Sequence, residues 1–365
     1  MKLRRLLSLG VLMLSPLFSV AQETSIDEKK FVVIGGIEQW ITIKGTDMAD
    51  PVILFIHGGP GSPSSPYSEA IFGDWENDFI LANWDQRGTA RTFGRNAPQE
   101  PDEDYWIENP LTLEQMTTDG VEVSEYLKGY LGKEKIILLG SSWGSVLATK
   151  MALLRPEIFY AYIGHSQVVN PAKDIVHIYH KMIELARQKE DSETLEVLKY
   201  HGVPPYQNAK HTGQLMRIIK KYEHENSVPS PEFWWKIPSE YDNEKDEQHR
   251  YNGDDYSFIH YAGHNPLGII GMNASVNFMK ETTNFQIPVY LIQGEKDILT
   301  PLDITEKYYE KITAPEKELF VVPGAAHGFN QAIIEEHQKV LLERILPGIK
   351  KKQLVNVVNP ICRDR

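Results

Sequence analysis

The stretch Gly140-Ser141-Ser142-Trp143-Gly144 decides the fold of this chain, because it stands where a buried strand turns into a helix. The mostly apolar run 135–139 before it is typical of a strand that a parallel sheet buries on both faces. The run 145–154 after it predicts a helix, which the following Arg-Pro pair ends. Gly-x-Ser-x-Gly in this setting is a nucleophile elbow, whose glycines allow the strained turn that lifts the serine hydroxyl above the sheet. We therefore predict that Ser142 is a nucleophile.

Strand-like and helical runs alternate along most of the chain. Beside the elbow strand, seven short runs have the pattern of strands, at 31–34, 40–43, 52–56, 79–84, 159–164, 288–292 and 319–322. Helices are predicted at 112–131 and 331–345. After a short antiparallel start, this alternation predicts an α/β fold with a mostly parallel sheet and helices on both of its faces.

The alternation of strand-like and helical runs is interrupted between residues 170 and 284. This stretch is rich in charges, histidine and tyrosine, and segments such as 175–189 have helical spacing. We expect a helical cap over the carboxyl ends of the strands, where sheets of this class bind ligands. The predicted organisation is a core of residues 22–169 and 285–365, with the cap of residues 170–284 inserted after the sixth core strand.

The first 21 residues have the three parts of an export signal: a basic start, an apolar stretch at 6–18 and a small-residue cleavage site ending at Ala21. The apolar stretch is shorter than the roughly 20 residues of a membrane span. We expect a cleaved signal peptide at 1–21, a periplasmic or secreted protein, and no membrane span in the mature chain. The lone Cys362 excludes an intramolecular disulfide, which fits a bacterial periplasm or exterior.

Charge narrows the range of partners. Removing the signal peptide removes Lys2, Arg4 and Arg5, so the formal net charge moves from −12 to −15. A negative surface argues against nucleic acid or an anionic membrane as the main partner and mildly favours cationic or neutral ligands. Solubility alone explains this charge at least as well. The oligomeric state is not predictable from the sequence.

A serine hydroxyl is a weak nucleophile near neutral pH, so it needs a base within hydrogen-bond reach and a carboxylate that orients the base. In folds with this elbow, the carboxylate and the histidine follow the serine in that order, on loops after later strands. The loop after the seventh strand offers Asp297, with Glu295 and Asp303 as weaker candidates. The loop after the eighth strand offers His327 as general base and then acid, whereas His337 lies inside the predicted final helix.

The segment His57-Gly58-Gly59-Pro60-Gly61 follows the third strand. A tetrahedral intermediate needs backbone N–H groups aimed at its oxyanion. Glycines let the main chain approach the substrate, and proline stiffens the loop. We predict that the amides of Gly59 and Trp143 form the oxyanion hole, with Gly58 as the fallback, and that His57 braces the loop.

Five motifs together resemble the proline iminopeptidase-like branch of the α/β-hydrolases. They are His57 to Gly61, Asp85 to Gly88, Gly140 to Gly144, Gly294 to Asp297 and Gly324 to His327. The resemblance spans about 30–165 and 285–345 and implies the α/β-hydrolase fold. It also implies a serine exopeptidase that removes an N-terminal residue, typically proline, from small peptides without a metal or other cofactor. Asp85 and Arg87 would then brace the active-site loops.

The cap departs from the pattern of this branch. Its aminopeptidases use cap glutamates to bind the free α-ammonium of the substrate, and one usually follows a Trp-rich segment. Here Phe233-Trp234-Trp235 runs into Lys236, and the position two residues before His260-Tyr261, where the other usually stands, is Phe258. The aromatic segment has two open interpretations, a pocket lining or a small core of the cap. The candidates for substrate binding are Glu232, Trp234 and Trp235, with Glu240, Asp254 and Asp255 as alternatives.

Two enzyme functions and one binding function remain. The leading hypothesis is an aminopeptidase acting on short peptides through an acyl-enzyme. The alternative is an esterase, lactonase or amidase on the same scaffold, whose cap pocket ignores amines. A serine at the elbow argues against dehalogenase and epoxide-hydrolase chemistry, which would use an aspartate there. A non-catalytic binding protein is the third class, and a full set of triad candidates argues against it.

Overall fold

The computed structural model describes residues 24–281 and 283–351. The predicted signal peptide at 1–21 and Cys362 lie outside the described residues, as does the end of the predicted core at 352–365. Within the part of the chain that the structure describes, no helix combines the length and the apolar character that crossing a lipid bilayer requires.

Eight strands of the described residues form one sheet. They are β1 (Ile26–Ile34), β2 (Ile37–Gly45), β3 (Val52–Ile56), β4 (Ile80–Trp84), β5 (Ile136–Ser141), β6 (Phe159–His165), β7 (Val289–Gly294) and β8 (Lys317–Val322). Their order is β1-β2-β4-β3-β5-β6-β7-β8. The β1–β2 and β2–β4 pairs are antiparallel and the others parallel. The predicted mostly parallel sheet with an antiparallel start is therefore confirmed.

Strand β1 is longer than the predicted run at 31–34. Its first residues alternate between exposed and buried positions and include Asp27 to Lys30, so they carry little apolar signal. The antiparallel ladder with β2 fixes them as a strand, because it pairs every residue from Ile26 to Ile34.

Eleven α-helices lie in the described residues. They are α1 (Ser68–Phe72), α2 (Ala90–Asn96), α3 (Glu103–Glu108), α4 (Leu113–Tyr130), α5 (Trp143–Leu154), α6 (Pro171–Gln188), α7 (Ser192–His201), α8 (Ala209–Asn226), α9 (Glu244–Ala262), α10 (Leu302–Lys311) and α11 (Gln331–Val340). The sequence did not predict α2 and α3, which are short, and α3 has no buried residue that would create an apolar period. The final helix widens after Val340 into a π-helical turn.

Helices cover both faces of the sheet, as predicted. In β3, Val52, Leu54 and Ile56 face one apolar cluster, while Ile53 and Phe55 face the other. Successive side chains of a strand point to opposite faces, so a fully apolar strand requires both faces to be covered. One cluster includes side chains of α4, α5 and α10, and the other includes side chains of α1 and α11.

Four helices, α6 to α9, stand between β6 and β7 in the described chain, at the place predicted for the cap. The cap boundaries at 170 and 284 stay a prediction. Three of these helices pack around an apolar cluster of their own, here called the cap cluster, which consists of Ile178, Tyr179, Met182, Ala186, Leu198, Leu215, Ile219, Tyr222 and Ile298. The last of these residues belongs to the loop after β7. The fourth helix, α9, instead contributes Tyr256 and Tyr261 to the core cluster that also includes side chains of α4, α5 and α10.

Candidate active site

The turn between β5 and α5 is strained. Ser142 is the N-cap of α5 and has φ 53° and ψ −122°, in a region that non-glycine residues rarely adopt. A side chain at Gly140 would overlap the carbonyl oxygen of Gly144, and one at Gly144 would overlap the carbonyl oxygen of Ile56. The amide of Ser142 donates to the carbonyl of His165 at 2.9 Å, which holds the turn on the sheet. The local sequence therefore produces the nucleophile-elbow geometry.

The structure brings Ser142, His327 and Asp297 into one chain of hydrogen bonds. The Nε2 atom of His327 lies 2.8 Å from the Oγ of Ser142. The Nδ1 atom of the same ring lies 3.1 and 3.2 Å from the two carboxylate oxygens of Asp297. The three residues follow β5, β8 and β7, whose carboxyl ends meet at one edge of the sheet. This is the arrangement of a nucleophile, a base and an orienting carboxylate.

The carboxylate of Asp297 is buried and has four neighbouring donors. Besides His327, the amide of Thr300 donates at 2.7 Å, its hydroxyl at 2.6 Å and the side-chain amide of Gln293 at 3.0 Å. Burial alone would raise the pKa of Asp297. The charge of His327 and the hydrogen bonds from His327 and Thr300 outweigh burial and leave the pKa lowered. The carboxylate therefore remains ionised at neutral pH.

The imidazole of His327 is more basic than a free histidine. Burial would lower its pKa, but the charge and the hydrogen bond of Asp297, together with the charge of Glu223, leave the pKa raised. The carbonyl of His327 accepts a hydrogen bond from the hydroxyl of Ser166 at 3.2 Å, which fixes the loop. A base with these partners is suited to take the proton of Ser142.

The weaker candidates have other partners. Glu295 accepts a hydrogen bond from the amide of Gly324 at 3.0 Å. Asp303 lies on α10 and pairs with Lys307 at 2.9 Å. His337 is fully buried within α11, where its Nδ1 atom lies 2.8 Å from the carbonyl oxygen one turn earlier. Among the candidate carboxylates only Asp297 lies within hydrogen-bonding distance of His327, and among the candidate bases only His327 lies within that distance of Ser142.

The segment from His57 to Gly61, here called the glycine segment, lies against the turn between β5 and α5. A side chain at Gly58 would lie 3.1 Å from the Cβ atom of Ser142 and would crowd it. Gly59 has φ 109°, which also favours glycine. Trp143 begins α5, and the first amides of a helix have no acceptor within the helix. Trp143 directly follows Ser142, and Gly59 directly follows Gly58, which approaches Ser142; the role of Gly59 and Trp143 as oxyanion donors stays a prediction.

His57 is tied to its surroundings through both ring nitrogens. With the proton on Nδ1, the ring donates to the carbonyl of Gly58 at 2.8 Å, and its Nε2 accepts from the amide of Gln86 at 3.3 Å. Burial lowers the pKa of His57 to about 4, so the ring is neutral. The Gln86 side chain also bridges the carbonyl of His57 and the indole N–H of Trp143, at 2.8 and 3.2 Å. These contacts brace the glycine segment against the elbow.

Asp85 and Arg87 have structural partners. The buried carboxylate of Asp85 accepts a hydrogen bond from the hydroxyl of Ser65, which belongs to the loop after the glycine segment. Arg87 pairs with Asp119 of α4 at 2.7 Å and donates to the carbonyl of Gly35 at 2.7 Å. Both residues therefore connect the turn after β4 to neighbouring elements.

The predicted substrate-binding residues of the aromatic segment lie apart from one another. Trp234 is 3% exposed and packs with core side chains such as Ile71 and Phe72 of α1, rather than in the cap cluster. Trp235 is half exposed and meets the ring of Tyr67 edge-on at 5.4 Å. Glu232 faces solvent. The small-core interpretation thus fits Trp234, although that core belongs to the sheet and not to the cap. The roles of these residues in substrate binding stay predictions.

Helix α9 places another carboxylate, that of Asp254, against the segment that follows β3. A side chain at Gly61 would lie 2.8 Å from the Cα atom of Asp254, so α9 rests directly on the glycine segment. The hydroxyl of Ser62 lies 3.5 Å from the carboxylate of Asp254. Asp254 is exposed, although its carboxylate lies close to neighbouring protein atoms. Partial burial, with the charge of Asp255, raises its pKa, and the charge of Lys220 opposes this effect. Sequence analysis offered Asp254 only as one of several alternatives.

Three contacts of Asp297 and its loop were missed by sequence reasoning. Thr300 stands three residues after Asp297, a spacing at which an aspartate often accepts from a turn amide, so this contact had a local signal. Gln293 and Glu223 had none, because they come from β7 and from the cap helix α8. Within residues 24–281 and 283–351, no three His, Cys, Asp or Glu side chains are grouped as a metal site. Chemistry without a metal or cofactor stays a prediction.

Known proteins share this architecture. The family model of the alpha/beta hydrolase fold matches residues 51–330. The probable aminopeptidase YbaC of Bacillus subtilis strain 168 is 28% identical over 314 residues, which cover 84% of this chain and 93% of that protein. A proline iminopeptidase of Neisseria meningitidis (strain Z2491) is 24% identical over 316 residues, covering 81% of this chain and 89% of that one.

The same likeness appears among solved structures. The crystal structure of the proline iminopeptidase of Mycobacterium smegmatis matches with a TM-score of 0.54 and covers 91% of this chain and 97% of that one. Its sequence identity is 19%, so this match speaks for the fold. The family model spans most of the chain and includes all three residues of the hydrogen-bonded chain. The protein therefore belongs to the alpha/beta hydrolase family, and within this family it is proline iminopeptidase-like.

Proposed function

We propose that this protein is a serine aminopeptidase of the proline iminopeptidase type, which releases N-terminal residues from short peptides through an acyl-enzyme. The observation that carries the proposal is the continuous path of hydrogen bonds from Ser142 through His327 to the ionised Asp297. The aminopeptidase names of the relatives support the choice of substrate class.

In the first half-reaction, His327 takes the proton of the Ser142 hydroxyl as its oxygen attacks the scissile carbonyl. Asp297 holds the ring with Nδ1–H toward itself and stabilises the imidazolium that forms. The imidazolium then protonates the leaving amine, and the acyl-enzyme remains on Ser142. Water, deprotonated by the same ring, attacks the acyl-enzyme, the ring returns this proton to the departing oxygen of Ser142, and the N-terminal residue is released.

The oxyanion of each tetrahedral intermediate requires donors that are already in place. We assign them to the amides of Gly59 and Trp143, with Gly58 as the alternative, because Trp143 directly follows Ser142 and Gly59 directly follows Gly58, which approaches Ser142. The network from His57 through Gln86 to the Trp143 indole restrains these two segments relative to each other. Preorganised donors of this kind account for about 10²- to 10³-fold each in related chemistry.

An exopeptidase also needs an anion for the α-ammonium of the substrate. We assign this role to Asp254. It lies on α9 one helical turn before Phe258, the position where the resemblance expects a glutamate, and residues four apart share one helix face. The backbone of Asp254 packs against Gly61, in the same segment as the proposed donor Gly59, and this contact supports the assignment.

An esterase, lactonase or amidase is the second candidate. Lys236 and Phe258 stand at the two cap positions where the resemblance expects glutamates, which favours a pocket that does not select amines. Lys220, whose charge acts on both Asp254 and His327, adds a cation above the site. The core chemistry would be the same, and only the cap would differ.

One comparison of substrates separates the two candidates. The protein is assayed on proline p-nitroanilide, on the same compound with its amine acylated, and on a short-chain p-nitrophenyl ester. An aminopeptidase turns over the free amine and rejects the acylated compound. Turnover of the ester alone would overturn the aminopeptidase assignment and leave the second candidate.

We also propose that the protein is exported, on the pattern of residues 1–21. The test is expression of the full chain with its native start in a bacterium, followed by fractionation and N-terminal sequencing. A periplasmic or secreted product that begins at residue 22 is expected. An uncut chain in the cytoplasmic fraction would contradict the proposal.

A further inference from the structure

The cap helix α8 carries a buried carboxylate that the catalytic mechanism does not use. Glu223 is 6% exposed. Its Oε1 atom accepts hydrogen bonds from the amides of Ile298 at 2.6 Å and Leu299 at 3.1 Å. These are the two residues that follow Asp297 directly. A buried carboxylate placed on two successive amides restrains the path of the backbone between them.

The loop after Asp297 is held from both sides. The amides of residues 298 and 299 donate to Glu223, and the next amide, of Thr300, donates to Asp297 itself at 2.7 Å. The amides of three successive residues therefore donate hydrogen bonds to two carboxylates. The side chain of Ile298 is also buried in the cap cluster, so the loop is packed into the cap as well as bonded to it.

The turn after α8 reaches the histidine loop too. The amide of Val228 donates to the carbonyl of Gly324 at 2.8 Å, and its carbonyl accepts from the side chain of Asn330 at 3.0 Å. One end of a single cap helix thus contacts the loops of both Asp297 and His327. This region of the cap cannot move away from the core without displacing those loops.

We propose that Glu223 is a positioning residue for the catalytic triad, which fixes the Asp297 loop from the cap and places a second negative charge near His327. This inference rests on the proposed serine-hydrolase function. It assigns to the cap a part in catalysis in addition to substrate selection. Glu223 acts through Asp297 and His327 and does not touch the substrate.

The charges around His327 support this role. Asp297 and Glu223 both favour the imidazolium, whereas Lys220, also on α8, opposes it. His165 is another histidine of this region and is fully buried. Burial, together with the charges of His337 and His327, lowers its pKa well below the usual value, so it is neutral. The imidazolium forms in the transition state of acylation, so a second anion lowers the barrier to that step.

The test measures how fast a fluorophosphonate probe labels Ser142 as a function of pH. Glu223→Gln keeps an acceptor but removes the charge, and Glu223→Ala removes both. We expect labelling about 10-fold slower for Gln and about 100-fold slower for Ala, the scale of a small misplacement in an active site. Without the charge the pKa of His327 falls, so the midpoint of the labelling profile moves to lower pH in both variants.

Glu225→Gln is the matched control, since Glu225 lies on the same helix, is exposed and pairs with Lys189 at 2.8 Å. It should label like the wild type. A Glu223→Gln protein with the wild-type rate and midpoint would overturn the inference. This holds even if the Ala variant fails to fold, because the Gln variant keeps the acceptor. A wild-type protein that the probe does not label at Ser142 would instead refute the proposed function.

Discussion

The carboxyl edge of the sheet and the surface of the cap hold their carboxylates in different ways. Asp297, at the edge, is 1% exposed and surrounded by four donors that keep it ionised. Asp254, on cap helix α9, is exposed and has one long contact, to Ser62 at 3.5 Å. The first carboxylate is satisfied within the protein, and the second leaves its charge available. A satisfied anion can orient a base, whereas an available one can bind a ligand.

The difference follows from where each side chain is attached. Loops after parallel strands start from a rigid sheet, so a few turn contacts place a side chain closely. Asp254 lies instead on a helix whose Tyr256 and Tyr261 are buried in the core, while its own side chain is exposed. We therefore propose that the chemistry is located on the rigid edge of the sheet and that substrate selection is located on the exposed surface of the cap.

The largest effect should come from the elbow itself. Ser142→Ala should lower kcat by about 10⁵- to 10⁶-fold, because every step proceeds through that oxygen. The measurement is turnover of the preferred substrate, with circular dichroism to show that the fold is retained. Combining it with His327→Ala should add almost nothing, since triad residues act as a unit. Full activity of the purified Ser142→Ala protein would place the chemistry elsewhere.

Asp297→Asn tests the satisfied carboxylate. The amide keeps the shape but favours the wrong histidine tautomer, and a loss of about 10⁴-fold in kcat is expected from the comparable change in other triads. KM should change little, because Asp297 does not face the substrate. Asp303→Asn on α10 is the control and should behave as wild type. A loss confined to KM would contradict the orienting role.

Asp254→Asn tests the available carboxylate. Removing the partner of a buried ammonium costs about 1.5 to 3 kcal/mol, so kcat/KM for a free-amine substrate should fall about 10- to 100-fold. Hydrolysis of a neutral p-nitrophenyl ester should be spared. The matched change Asp255→Asn, on the neighbouring and more open carboxylate, should have the smaller effect. Equal losses on both substrates would make Asp254 a structural residue.

The smallest expected effect is on the stability of the protein in acid. It distinguishes histidines buried in the core from histidines exposed on the cap. His57 and His337 are buried in the core, and burial lowers the pKa of each to about 4. In the unfolded chain a histidine has a pKa of about 6.5, so the unfolded state binds the extra proton first. The two histidines therefore do not affect the free energy of unfolding above about pH 6.5, and they reduce it as the pH falls toward 4. His327, whose native pKa is raised, contributes with the opposite sign.

Thermal unfolding at pH 7.5 and pH 5 measures this effect. His337→Leu should reduce the fall in Tm between the two conditions, because a histidine whose pKa is lowered to about 4 costs about 2 kcal/mol of stability between these pH values. His224→Leu, on the exposed face of α8, should leave the slope unchanged. An unaltered slope in the His337 variant would mean that other groups govern acid unfolding.

Prediction from the sequence was strongest where function depends on local backbone geometry. The elbow, the glycine segment and the two loops that carry Asp297 and His327 each have a short pattern, because a strained turn needs glycine and a loop follows a strand. Sequence analysis did not identify Glu223, because its amide partners are more than 70 residues away in the chain. It left the surroundings of Trp234 open, since an aromatic segment does not reveal which cluster it will enter.

The sequence by itself determined the sheet, the elbow and the order of the three catalytic candidates, because periodicity and turn chemistry are local properties. Only the tertiary structure decided that Asp297, and not Glu295 or Asp303, meets His327. It also decided that α9 brings Asp254 onto the glycine segment and that α8 seats a second carboxylate behind the triad. These contacts join residues far apart in the chain, and their distances follow from packing, which no local pattern encodes.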